Sequence, residues 1–156
     1  MTDHNPEFGT QVRTIQIIVA ALVVGCVTFG GIACVIAGDD LAFREFGVLA
    51  IVATAFAAGA VVVSTVVRVV FDKQADRDAP QPADKLLSLF QNRAIVSAAV
   101  LEGATFLNLI VVIVENNAAS LVTAGVLIAI MLIRLPTKRG IAEWVAKRLD
   151  ASQTTV

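Results

Sequence analysis

One carboxylate stands where a charge is costly. Glu102 lies inside the apolar run AIVSAAVLEGATFLNLIVVIV, at 94–114, and is the one ionisable group deep within any long apolar run of the chain. A helix over 94–114 has its midpoint near Ala104, which puts Glu102 about 3 Å from the centre of a bilayer. Ionising a side chain at that depth is expensive, and such residues mark functional sites by default. Thr105 and Asn108 follow at i+3 and i+6, and Ser97 lies one to two turns below. The chemistry on offer is hydrogen bonding between helices, within the chain or across two copies of it, or exchange of a proton or cation at the carboxyl. No basic residue matches Glu102 in depth. Arg68 sits about 16 Å away along the membrane normal, Arg93 and Arg134 lie near the same inner edge, and the second run offers only Ala57, Ala58, Gly59 and Ala60 at the level of the acid. A neutral, protonated glutamic acid is the expectation.

The elements that must hold these residues follow from composition. Of 156 residues, 57% are apolar and 16% charged, with a mean hydropathy of +0.81, far outside the range of a soluble domain. Four runs are long enough to cross about 30 Å of hydrocarbon as helices: 14–38, 46–71, 94–114 and 118–135. They do not alternate polar and apolar as barrel strands do. Pro6, Pro80, Pro82 and Pro136 all fall outside them, where a missing N–H does no harm. The sequence therefore predicts an all-α membrane protein: one integral domain over 1–156, with four transmembrane helices arranged as two hairpins. Asn116 and Asn117 supply capping chemistry for a tight turn between the third and fourth spans.

Basic residues orient the spans. Eleven of the twelve Lys and Arg lie beside the helix ends on the side shared by the N-terminus, the middle loop and the C-terminus, Arg68 and Arg134 within the last residues of their spans, and only Arg44 lies opposite. Both termini are expected in the cytoplasm. The cytoplasmic loop 72–93 opens as a charged proline linker. From Asp84, a candidate N-cap, it continues as a short helix with Leu86, Leu87 and Phe90 on one face, which predicts an interfacial helix. A second amphipathic helix, 137–151, carries Ile141, Trp144, Val145 and Leu149 on its apolar side. Trp144, Lys147 and Arg148 are its candidate anchors in the lipid headgroups.

Other chemistry finds little support. The single histidine, His4, precedes the first span, and no Ser-His pair or metal cluster is present, so no enzyme, metal or cofactor is expected. Cys26 and Cys34 lack histidine or carboxylate neighbours for a metal. Cys26 also closes a loose lipobox, Val23-Val24-Gly25-Cys26, although apolar sequence continues well beyond it. Bulk basicity for nucleic acid is absent. The partners expected are the lipid bilayer and either further copies of the chain or another membrane protein.

The segment AVLEGATFLNLIVVIV resembles the carboxylate helix of rotary ATPase c-type proteolipids, in which a membrane-central acid among small residues exchanges one proton or sodium ion. The four-span plan resembles the V-type proteolipid, although there the acid lies on the second helix of a hairpin. The E-G-x-x-F-x-N-L helix also resembles small bacterial four-helix membrane proteins without an assigned activity, which implies a bacterial inner membrane. Sliding the chain by half its length lays Ile17 over Ile95 and Gly47-Val48-Leu49 over Gly125-Val126-Leu127, the pattern of a parallel repeat. Two functions are expected from these features. One is a structural subunit whose Glu102 fixes packing; the other is a proton- or cation-coupled subunit that uses Glu102, with lipid or small-hydrophobe binding behind them.

Overall fold

The computed structural model describes residues 6–43, 45, 47–77 and 82–153; His4, Arg44 and Pro80 lie outside these. Among the described residues the protein is 91% helical, with no strands. The described residues form five α-helices, in order α1 (Pro6–Ala37), α2 (Val48–Arg77), α3 (Ala83–Glu115), α4 (Ala118–Ile133) and α5 (Lys138–Gln153), with a 3-10 turn, Gly38–Asp40, after α1. Among the described residues three stretches are long and apolar enough to span a bilayer: Gly9–Asp40, Val48–Arg77 and Asp84–Glu115. The α4–α5 pair, bent by 60°, makes a fourth if counted as one span.

The helices run past the apolar borders. The run of polar and charged residues begins at Asp72, yet α2 continues to Arg77, and α3 starts at Ala83, so most of the loop expected at 72–93 is helix. Backbone hydrogen bonding does not stop where hydrocarbon does, and Lys, Gln, Ala and Arg all favour a helix. Pro82, in extended backbone, takes the N-cap position of α3; Asp84 instead sits in the first turn, where a carboxylate complements the helix dipole.

The third span is the hub. Of its apolar window 44% is buried inside the protein, against 22% and 28% for the first two, and α1, α2 and α4 all pack on it. Toward α3 the second helix turns a stripe of small residues, Ala50, Ala53, Ala57, Ala60 and Ser64, all buried. Alternating steps of three and four keep such a stripe on one face and let backbones approach closely. The small-residue pairs Ala99/Gly103 and Ala55/Gly59, each spaced four apart, lie on the outside. The central layer joins Val23 and Cys26 of α1, Ala57 and Ala60 of α2, Leu101 and Ala104 of α3, and Leu127 and Met131 of α4.

At the turn joining α3 to α4, Asn116 adopts left-handed backbone (φ 49°) and closes α3. Asn117 then caps α4, its Oδ1 accepting from Ala119 N at 2.9 Å. The connection between α1 and α2 is tied to this turn through Ala42, which donates to Asn116 O and accepts from Ala118 N. At the opposite end α5 folds back on the bundle. The stripe expected to face lipid faces protein instead: Leu87 packs with Val12, Ile15 and Ile141, and Leu86 with Ala75 and Val145. Burying these side chains against each other satisfies the same apolar face that a headgroup layer would have covered.

Candidate functional site

Glu102 leaves α3 on the side of α1. A Cβ placed on Gly25 would stand 4.0 Å from its Oε1, so the absence of a side chain at Gly25 gives the carboxyl its room. The thiol of Cys26, itself fully buried, lies within hydrogen-bonding reach of Thr105 and within electrostatic range of Glu102. Glu102 is partly exposed and, among the described residues, has no hydrogen-bond partner. It stands one residue from exposed Gly103, where the space for a side chain is open.

Thr105 and Asn108 are fully buried, but their polar atoms point elsewhere. The Thr105 hydroxyl donates to Leu101 O of its own helix at 2.8 Å. The Asn108 amide donates to Ala104 O at 2.9 Å and crosses to Ala53 O of α2 at 3.2 Å. At 100° per residue, i+6 turns Asn108 well away from Glu102, so within one chain Glu102 faces α1 while Asn108 faces α2. Asn108→Ala is expected to loosen the α2–α3 seam by about 1 kcal/mol, the usual size of an intramembrane hydrogen bond. Thermal unfolding in detergent, followed by helicity, measures it; an unchanged midpoint would show the crossing bond carries no weight.

Of the candidate anchors, Lys147 is exposed, whereas Trp144 and Arg148 turn into the protein. Both converge on Asp72, near the end of α2. Asp72 Oδ1 accepts from Arg93 at 2.8 Å, from Trp144 Nε1 at 2.9 Å and from Arg148 at 3.1 Å. Arg148 also lies 3.1 Å from Asp76 and stacks over the indole at 3.8 Å, and Phe90 meets Trp144 edge-on at 5.3 Å. One carboxylate thus holds three helices together. Its partners are 21 to 76 positions away in the chain, so no local spacing points to it. The available signal was an acid directly after an apolar run, at the start of a segment of mixed charge.

A second carboxylate closes the other end. Glu115, the last residue of α3, accepts from Leu49 N and Ala50 N at 3.2 Å each, which satisfies two free N–H groups in the first turn of α2. A side chain at Gly47 would collide with that carboxylate. Among the described residues no cluster of three or more metal-ligating side chains occurs.

The chain matches no family model, no curated protein and no solved structure, so the resemblances to proteolipids and to small bacterial membrane proteins gain no support there, and function rests on the site's own chemistry.

Proposed function

We propose that this chain is a multi-pass subunit of a bacterial inner membrane, with cytoplasmic termini and four spans in two consecutive hairpins, that assembles with further copies of itself or another membrane protein. One observation carries the reading. The carboxyl of Glu102 emerges at a partly exposed edge with no hydrogen bond among the described residues, and a polar group in hydrocarbon needs a partner. Exposed Ala99 and Gly103 beside it give a neighbouring helix room for close approach, and that helix meets the carboxyl. Glu102 then fixes the register of the contact, with an energy of about 1 kcal/mol.

The test is the native mass of the detergent-solubilised protein. An oligomer is expected, split by Gly103→Leu, with Glu102→Gln weakening association only several-fold. A monomer at every concentration, or an oligomer indifferent to both changes, removes the reading.

The same exposed edge favours a second reading, proton or cation coupling, because an acid that exchanges ions from the lipid face must be open to it. In that case a hydrophobic carbodiimide labels Glu102 in a pH- or sodium-dependent way, and Glu102→Gln abolishes transport while assembly persists. Labelling that is insensitive to both conditions excludes it.

A further inference from the structure

The inner ends of α2, α3 and α4 enclose two arginines that, among the described residues, have no ion-pair partner. Arg134, at the end of α4, donates from one guanidinium nitrogen to Ser64 Oγ at 2.8 Å and from the other to Thr65 Oγ1 at 3.4 Å. Arg68, one turn beyond Ser64 on α2, is half-buried; its Nε is fully buried and, among the described residues, has no hydrogen-bond partner. Both line one small cavity together with Ser97, Ala98 and Leu101 of α3. The surroundings are hydroxyls and methyls, with Ser97 donating to Ser64 O.

The local charge does not balance. Arg68 feels Arg134 and Arg93 as like charges, and Asp72 is the one carboxylate acting on it. Asp72 is already committed to Arg93 and Arg148, and neither Arg68 nor Arg134 forms an ion pair among the described residues. Half-buried like charges with an orphaned donor are unfavourable unless an anion joins them. A guanidinium pair matches phosphate oxygens in geometry and charge, and basic pockets between helices at the cytoplasmic face suit phosphate headgroups.

We propose that Arg68 and Arg134 form a binding site for a phosphate group, at the mouth of the cavity between α2, α3 and α4. Cavity size limits the pose. At about 20 Å³ the space holds roughly one water molecule, so the phosphate stays at the mouth and a single oxygen, or one water, reaches the Arg68 Nε. The phosphate is either that of an anionic lipid or free inorganic phosphate.

The experiment uses the full chain, stripped of lipid in detergent. Native mass spectrometry follows binding of an anionic phosphatidylglycerol, a zwitterionic phosphatidylcholine and inorganic phosphate in separate arms. Preferential retention of the phosphatidylglycerol, weakened about tenfold or more in R68Q/R134Q and unaffected in K147Q, supports the proposal with lipid as the source. Inorganic phosphate binding with the same dependence on the two arginines supports it with free phosphate as the source. Equal retention of both lipids with no phosphate binding, or equal loss in K147Q, overturns it. If R68Q/R134Q does not fold, melting of the unaltered protein decides: a midpoint raised by phosphatidylglycerol or phosphate but not by phosphatidylcholine supports the site, and a midpoint that responds to neither overturns it.

Discussion

Replacing Asp72 by Ala is expected to release α5 from the bundle at a cost of about 3 kcal/mol. The carboxylate receives three donors from two helices, and its loss leaves Arg93 and Arg148, only 16% and 14% exposed, without their main counter-charge. Breaking a buried pair from one side is costly because the stranded charge stays buried. Asp72 is itself 33% exposed, so the low end of that range applies. Asp72→Asn, which keeps an acceptor for the indole and removes the charge, should fall between the two. The chain has a single tryptophan, so its emission reports on this docking alone. A red-shifted maximum and faster hydrogen exchange across 138–149 are expected in Asp72→Ala. An unchanged spectrum with unchanged exchange would mean that Leu87, Ile141 and Val145 hold α5 unaided.

Gly47→Ala is expected to cost about 2 kcal/mol, from the opposite end of the molecule. The added methyl enters the space of the Glu115 carboxylate and displaces it from Leu49 N and Ala50 N. Hydrogen bonds to a charged acceptor at a helix N-terminus combine capping with the dipole effect. The mechanism makes a sharper claim than the magnitude. In a Glu115→Ala background the clash is gone, so Gly47→Ala should there be nearly neutral, a strong coupling in a double-mutant cycle. Thermal unfolding of the four proteins measures it; equal costs in both backgrounds would mean that Gly47 is needed for its backbone and not for the carboxylate.

The spans were legible because bilayer thickness sets a length that runs such as 14–38 and 46–71 plainly meet. Helix ends were less so: α2 and α3 carry on through Asp72–Arg77 and Ala83–Arg93, where composition turns polar but hydrogen bonding does not. Leu86, Leu87 and Phe90 were readable as a stripe, since that is a matter of period, but a stripe does not name what covers it. The depth of Glu102 could be counted from the helix ends. Its direction could not, because the choice between Gly25 on α1 and a neighbour on α2 depends on how the helices surround α3. The small-residue pairs show the same gap: Ala99/Gly103 and Ala50/Ala53/Ala57 look alike in one dimension, and only packing decides which is inside. Asp72 and Glu115 join segments far apart in the chain, and nothing local foretells them.

That α1 and α2 lean chiefly on α3 has a consequence for how the protein is made. A chain enters the membrane from its N-terminus, so these two helices reach the lipid before the helix they pack against has been synthesised. Until Ala83–Glu115 arrives, the alanine stripe of α2 and the Val23–Cys26 face of α1 have only lipid to meet. Assembly must wait for the third insertion, and a ribosome stalled before it would leave two separate, independently diffusing hydrophobic rods tethered by a short loop.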